Sequence, residues 1–182
     1  KKDVVAIIPT HAHLDHLGAI PFLAKNFKAK IFGSPYTISV LNTILKNEKM
    51  KIPNEIKPLT TNAFFELSDN IKIEFINMTH STHQTVMVAI QTKKGIILYA
   101  NDFKFEMNTV LGKKPNFKRL KELGDMGVIA LIVDSTYAPS FKKMPSESVA
   151  RELLKDVMLG TDAKGKIIAV TTFSSHLARI KS

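Results

Sequence analysis

Short apolar runs alternate along the chain with segments in which apolar residues recur every three or four positions. The short runs predict β-strands, and at residues 71–75 apolar and charged residues alternate as in a half-buried strand. Predicted strands cover residues 4–9, 30–33, 64–67, 71–75, 85–91, 95–99, 127–133 and 166–172. Alternation of strands with helices predicts an α/β fold.

The helical segments carry recognisable start and stop signals. Residues 15–24 predict one helix directly after the first strand, and Ser34 followed by Pro35 predicts the N-cap of the next. A helix over residues 117–123 is expected to end at Gly124, and Ser146 is expected to cap another. Residues 53–62 are polar and rich in turn formers, which predicts a loop.

The stretch from Thr10 to His16, THAHLDH, has more metal-ligating side chains than a packed core needs. Three imidazoles and one carboxylate lie between positions 11 and 16, and buried polar groups must each find a partner. A Zn²⁺ ion, which accepts such ligands at about 2.0–2.2 Å, would satisfy them together. The motif follows a predicted strand, where α/β folds place their chemistry.

The spacing of these residues favours two metal positions. In an extended segment His11 and His13 point to the same side, whereas Asp15 and His16 begin the next element and face a neighbouring position. Two ions about 3.5–4 Å apart form the clamp that phosphatases and nucleases use.

Composition and charge set limits on these interpretations. The chain has 182 residues, 45% hydrophobic and 23% charged, which is enough for one good core. It has no cysteine, so oxygen and nitrogen are the metal ligands and a reducing cytosol is expected. The net charge of +10 favours polyanionic partners, although lysines spread along the chain fit a solvated surface equally well.

The two ends and the apolar runs bear on location. No run reaches the roughly 18 apolar residues that a membrane helix needs, and the start lacks a signal-peptide core. We expect a cytoplasmic protein that does not contact a membrane. The chain begins at Lys1 rather than at Met and stops inside a helical pattern, so both ends look cut.

Five segments of the chain resemble one family. The His-x-His-x-Asp-His signature of metallo-β-lactamase fold hydrolases is matched by His11, His13, Asp15 and His16. Five longer segments, one of which contains this signature, are similar to archaeal ribonuclease J proteins of the β-CASP group. The segments are THAHLDHLGAIP, FINMTHSTHQT, YANDFKFE, LIVDSTYA and TTFSSHLARIKS. The resemblance implies a partial αββα-type metallo-β-lactamase fold over residues 1–138 and the start of an inserted β-CASP α/β domain over residues 139–182.

The resemblance also implies a set of metal ligands. It assigns His11, His13 and His80 to one metal, Asp15 and His16 to the second, and Asp102 to a bridge between them. Asp15 would also orient the attacking hydroxide. Without the resemblance, His80 fits a structural histidine and Asp102 a turn cap. His83 is left open as a hydrogen-bond donor behind the ligands, a pocket wall or a surface-loop residue.

Two further groups belong to the expected site. Asp134 with Ser135 and Thr136 resembles the first β-CASP motif, in which the acidic residue holds a proton-donating histidine; that histidine would lie beyond Ser182. A turn or helix cap is the alternative for Asp134. Candidate RNA-backbone contacts at the last helix start are Ser174, Ser175, His176 and Arg179. The alternative is that Ser174 and Ser175 simply cap the start of this helix.

The implied function is a ribonuclease of the ribonuclease J type. It would hydrolyse RNA phosphodiester bonds with two Zn²⁺ ions, or with Mn²⁺ or Mg²⁺ instead, as a 5′–3′ exonuclease with endonuclease action as an addition and a homodimer as its full-length state. The alternatives are a β-CASP endonuclease resembling the polyadenylation-factor nuclease, a metallo-hydrolase of small substrates, and a non-enzymatic RNA-binding module. Because the family's first strands and last metal-binding histidine would lie outside residues 1–182, we expect little nuclease activity from this segment by itself.

Overall fold

The computed structural model describes residues 3–181, which form two β-sheets with helices on their outer faces. The strands are β1 (Ala6–Ile7), β2 (Lys30–Gly33), β3 (Ile56–Pro58), β4 (Phe64–Ser68), β5 (Ile71–Asn77), β6 (Val86–Thr92), β7 (Gly95–Asn101) and β8 (Val128–Val133). The helices are α1 (Leu14–Leu17), α2 (Ile20–Leu23), α3 (Pro35–Asn47), α4 (Phe117–Met126), α5 (Glu147–Gly160) and α6 (Leu177–Lys181), with a 3₁₀ turn at Ala24–Asn26.

The smaller sheet is parallel, in the order β1-β2-β3. The larger sheet has the order β4-β5-β6-β7-β8; its neighbours are antiparallel except β7 and β8, which are parallel. The predicted hairpin is confirmed, because Thr92 pairs with Gly95 around the Lys93-Lys94 turn. No helix among residues 3–181 is both long enough and apolar enough to cross a membrane.

Alternating side chains of the strands divide the core into three layers. On β2, Ile31 packs against α3 while Phe32 points to the larger sheet. On β5, Phe75 joins Phe32 between the sheets, and Ile76 on the opposite face packs with Leu123 of α4. The order of layers is therefore helix, sheet, sheet, helix, and the prediction of an α/β fold is confirmed.

The predicted helix over residues 15–24 is wrong as one element. Helix α1 ends at Leu17 and α2 begins at Ile20. Proline has no N–H, so Pro21 cannot donate to the Leu17 carbonyl as a continuous helix would require. The next helix begins as predicted, with the Ser34 hydroxyl accepting a hydrogen bond from Thr37 N.

Three further predictions also need correction: the length of the first strand, the loop over residues 53–62 and the end of α4. The first strand covers two residues rather than six, because it lies at the sheet edge and pairs with β2 at Ala6 and Ile7. Residues 53–62 are not all loop, since β3 adds to the edge of β2. Helix α4 continues through Gly124 to Met126, and the residue that caps its end is Gly127, whose φ of 101° suits glycine.

Two strands expected near the end of the chain differ from the prediction. Strand β8 forms, but it is not buried: Ile129 and Leu131 are each 59% exposed, because β8 is the outer strand of its sheet. Residues 166–172 form no strand, since none of the strands described pairs with them. Ser146 caps α5 as predicted. The division at residues 138 and 139 remains a prediction.

Candidate metal centre

The candidate ligands lie where strands of both sheets end. His11 and His13 occupy the loop between β1 and α1, Asp15 and His16 lie on α1, His80 follows β5, and Asp102 follows β7. A hydrogen bond from Val86 N to the Thr10 carbonyl, 3.0 Å long, ties the first loop to the larger sheet. The fold thus brings all six residues to one edge of the molecule.

Four of these side chains converge on one position. His13 Nδ1 lies 3.0 Å from His11 Nε2 and 3.3 Å from His80 Nε2. Asp102 Oδ2 lies 3.8 Å from His11 Nε2 and 3.7 Å from His80 Nε2. Ligands at about 2.0–2.1 Å around a tetrahedral ion are about 3.3–3.4 Å apart. The donor atoms therefore have close to the spacing that a tetrahedral cation imposes.

A second group of donors shares Asp102. His16 Nε2 lies 3.3 Å from Asp15 Oδ2 and 3.6 Å from Asp102 Oδ2. The two groups, His11, His13, His80 and Asp102, and Asp15, His16 and Asp102, each have their donor atoms within 4.8 Å of one another. Because the same oxygen of Asp102 faces both groups, the arrangement suits two divalent ions side by side.

Burial keeps two of the candidate ligating imidazoles, His11 and His80, neutral. Burial is the main reason why the pKa of His11 falls to about 2, and repulsion from His16, His80 and His13 lowers it further. Burial also lowers the pKa of His80 to about 4, with Asp102 opposing the shift. A neutral ring offers a lone pair to a metal, whereas a protonated ring does not. At neutral pH these rings are therefore ready to ligate.

Three side chains that contact the candidate ligands from behind were not identified from the sequence. Thr10 Oγ1 lies 3.2 Å and Asn101 Nδ2 lies 2.8 Å from His11 Nδ1, and Ser81 Oγ lies 3.0 Å from His13 Nε2. Each is adjacent in sequence to a predicted ligand. A polar residue beside a ligand and next to a strand end was the signal that could have identified them.

His83 lies beside the cluster rather than behind it. Its ring is 5.8 Å from that of Tyr36, and it lines a cavity of about 340 Å³ that His80 also borders. Gly112 leaves room for the ring, since a Cβ there would come within 2.9 Å of it. Burial lowers the pKa of His83. Of the three alternatives for His83, a residue of the pocket wall agrees with these contacts.

Asp134 is exposed and forms a local cap. Its Oδ1 accepts hydrogen bonds from Thr136 Oγ1 at 2.6 Å and from Thr136 N at 3.1 Å. These bonds lower the pKa of Asp134, and the nearby His80 adds a small effect in the same direction. The contacts are those of the alternative cap, and a role in holding a proton donor stays a prediction.

The four candidate RNA contacts are partly engaged with protein. Arg179 Nε donates to Glu147 at 2.9 Å, and His176 Nε2 lies 3.8 Å from the same carboxylate. The Ser175 carbonyl accepts a hydrogen bond from the Tyr36 hydroxyl at 3.2 Å. Contact of these residues, or of Ser174, with RNA remains a prediction.

Comparison with known proteins agrees with this geometry. The model of the metallo-beta-lactamase superfamily matches residues 1–157. Ribonuclease J of Methanocaldococcus jannaschii is 41% identical over 181 residues and that of Pyrococcus abyssi 42% identical over 184, each match covering 99% of this chain. The chain spans 40% of the length of each of these two relatives.

A solved structure supports the fold independently of close sequence similarity. A protein of unknown function from Enterococcus faecalis superimposes with a TM-score of 0.62 at 17% identity, covering 87% of this chain and 39% of that one. The family model covers most of the chain, including every residue of the candidate metal centre. This chain therefore belongs to the metallo-beta-lactamase superfamily.

Proposed function

We propose that this chain forms the metal-binding part of a zinc-dependent ribonuclease of the ribonuclease J type. The observation that carries the proposal is the convergence of two donor groups on Asp102 Oδ2, with three imidazole nitrogens at near-tetrahedral spacing beside it. Phosphodiester hydrolysis by paired divalent ions uses such a site.

The donor set fits zinc better than the other divalent ions considered. His11, His13 and His80 supply nitrogen to the first position, and imidazole suits Zn²⁺, whereas Mg²⁺ and Mn²⁺ prefer oxygen. Two ions held by these residues would supply positive charge for phosphate oxygens and would activate a water molecule. We therefore propose two Zn²⁺ ions, with His16 and Asp15 in the second position.

We assign different roles to the residues of the site. The loop that carries His11 and His13 is tied to the larger sheet by the hydrogen bond from Val86 N to the Thr10 carbonyl, and His80 follows β5, so the fold would bring these donor atoms together before a metal binds. Asp102 sets the separation of the two positions. Asp15, whose side chain is 75% exposed, faces solvent where an attacking water would enter, and we assign it the orientation of that water.

RNA is the substrate that the relatives favour. Proteins named ribonuclease J match 99% of the chain at 41–42% identity, which favours this type over a polyadenylation-factor-like endonuclease or a hydrolase of small substrates. The net charge of +10 suits a polyanionic partner. The 5′–3′ direction, the homodimer and the cytoplasmic location stay predictions.

The test uses the natural protein that carries this segment, with and without Asp102→Ala, on RNA labelled at either end. Removal of the shared carboxylate is expected to slow cleavage by more than about 100-fold, beyond the loss typical for a residue outside the ligand set. Asp69→Ala, an exposed aspartate in the β4–β5 turn, is the matched control and should leave the rate unchanged.

Two results would contradict the proposal. One is RNA cleavage that survives Asp102→Ala at the rate of the unsubstituted protein. The other is hydrolysis of small thioesters or lactams without any cleavage of RNA, which would support the hydrolase of small substrates. The labelled ends also report direction, since removal of successive 5′ nucleotides gives a different ladder from internal cleavage.

A further inference from the structure

Asn101 lies directly behind the metal ligand His11 and carries a hydrogen-bonding mismatch. Its Nδ2 lies 2.8 Å from His11 Nδ1 and also contacts the Thr10 hydroxyl. The other end of the amide, Oδ1, is buried and has no hydrogen-bond partner among the residues described. A buried polar atom without a partner costs stability, so the orientation of this amide needs an explanation.

The chemistry of a ligating histidine supplies that explanation. The Nε2 of His11 points to His13 and Asp102, so it is the nitrogen that faces the metal position. A ligating imidazole is neutral and carries a single N–H, which then resides on Nδ1. An amide N–H₂ at 2.8 Å from that N–H would place two donors against each other. Thr10 Oγ1, at 3.2 Å, is the more distant possible acceptor, so the nearest acceptor that His11 Nδ1–H can have is the oxygen of this amide.

Rotation of the amide by about 180° exchanges its two ends without moving the backbone, and the ends are told apart by their hydrogen bonds. The rotated amide places Oδ1 against His11 Nδ1–H and within reach of the Thr10 hydroxyl, which can then donate to the same oxygen. The contact with His11 then becomes an ordinary hydrogen bond, and the contact with Thr10 is kept with its direction reversed.

We propose that Asn101 is a positioning residue, whose side-chain oxygen accepts a hydrogen bond from His11 Nδ1 and thereby holds Nε2 toward the metal. The inference rests on the proposed metal site. It also links the two loops, because Asn101 immediately precedes Asp102, so one turn at the end of β7 supplies both the shared carboxylate and the acceptor for His11.

The backbone at this position limits which residues can play the role. Asn101 has φ of 54°, in the left-handed region that asparagine, aspartate and glycine tolerate best. Aspartate keeps both the backbone and an acceptor oxygen. Glycine keeps the backbone and removes the acceptor. These two substitutions therefore separate the hydrogen bond from the turn.

The experiment titrates metal-free protein with Zn²⁺ in competition with a chromophoric chelator. Asn101→Gly should weaken Zn²⁺ binding by about 10–100-fold, the usual loss when the partner behind a ligating histidine is removed, and Asn101→Asp should stay within about threefold of the unsubstituted chain. Lys49→Gly, at an exposed left-handed position with φ of 52° far along the chain from the ligands, is the matched control and should leave Zn²⁺ affinity unchanged.

A second measurement needs no substitution. In the zinc-loaded chain, nitrogen-15 NMR should show the His11 proton on Nδ1 and protected from exchange; a proton on Nε2 would overturn the inference even if Asn101→Gly fails to fold. Unchanged affinity in Asn101→Gly, or equal losses in Asn101→Gly and Asn101→Asp, would also overturn it. Failure of the unsubstituted chain to bind Zn²⁺ would instead overturn the proposed metal site, and this inference with it.

Discussion

The region that carries the candidate metal ligands and the region that follows β8 are held in different ways. Before β8, side chains such as Leu41 and Phe75 are at most 1% exposed, and His11 lies among them with no exposed surface. In α5 and α6, no side chain among those described is buried. Packing fixes the geometry of the first region, whereas the second needs another kind of anchor.

That anchor is a set of ion pairs and hydrogen bonds just beyond Asp102. Glu106, 5% exposed, accepts hydrogen bonds from Ser146 Oγ at 2.9 Å and Glu147 N at 2.7 Å. Lys104 Nζ lies 3.0 Å from Glu147 Oε1, and Glu147 also pairs with Arg179. The same short segment thus bears the candidate metal ligand Asp102 and the groups that attach α5 and α6. The difference implies that α5 and α6 can be detached without changing the positions of the candidate metal ligands.

The largest expected difference comes from the same substitution made in both regions. Leu41→Ala in α3 should lower the free energy of unfolding by about 2–5 kcal/mol, because it opens a cavity in a filled core. Leu153→Ala in α5, where the side chain is 60% exposed, should change it by no more than about 0.5 kcal/mol. Urea denaturation measures both, and similar losses would contradict the distinction between the regions.

A smaller and local effect is expected from Glu106→Gln. The substitution weakens charge-assisted hydrogen bonds to the start of α5, which are worth about 1.5–3 kcal/mol. Limited proteolysis after residue 133 should therefore become faster, while Zn²⁺ affinity stays unchanged. Glu48→Gln, at an exposed position after α3, serves as the control. Weaker Zn²⁺ binding together with unaltered proteolysis would contradict this prediction and show that Glu106 supports the candidate metal ligands instead.

The last expected difference between the two regions is in their response to pH. Burial lowers the pKa of His80 from 6.5 to about 4. Between these two pH values the unfolded chain therefore binds a proton at His80 and the folded chain does not. Metal-free protein should therefore lose stability as the pH falls below 6.5. Although burial opposes its ionisation, Glu147 has its pKa lowered to about 2 by Arg179 and Lys104, so its contribution persists above 4.5 and is lost only as the pH falls toward 2.

The corresponding measurement is chemical denaturation of metal-free protein between about pH 7.5 and 5. His80→Gln should make the fall in stability shallower without abolishing it, because the pKa of His11 is lowered as well and His11 still resists protonation in the folded chain. A stability curve that is level from pH 7.5 to 5 would be incompatible with the buried neutral histidines.

The sequence predicted those features that depend on local pattern. The density of ligands between Thr10 and His16, the strands that precede His80 and Asp102, and the hairpin around Lys93 all follow from short-range periodicity and turn chemistry. Their convergence in space was an expectation from family resemblance, and the fold brings the side chains together. Assignment of each residue to a role remains a prediction.

Features that depend on a distant partner could not be predicted. Strand β3 has three residues, with lysine in the middle, and it forms because β2 offers an open edge. Residues 166–172 have a strong strand pattern but lack a neighbouring strand among those described. The position of Asn101 behind His11 joins residues 90 apart in sequence, and no local pattern carries that information.

The most direct test of the central claim is anomalous scattering at the zinc absorption edge from crystals of the chain grown with Zn²⁺. The account predicts an ion about 2.0–2.2 Å from His11 Nε2, His13 Nδ1 and His80 Nε2, with Asp102 completing its ligands. An anomalous peak elsewhere, or no peak among these four side chains at saturating Zn²⁺, would contradict it.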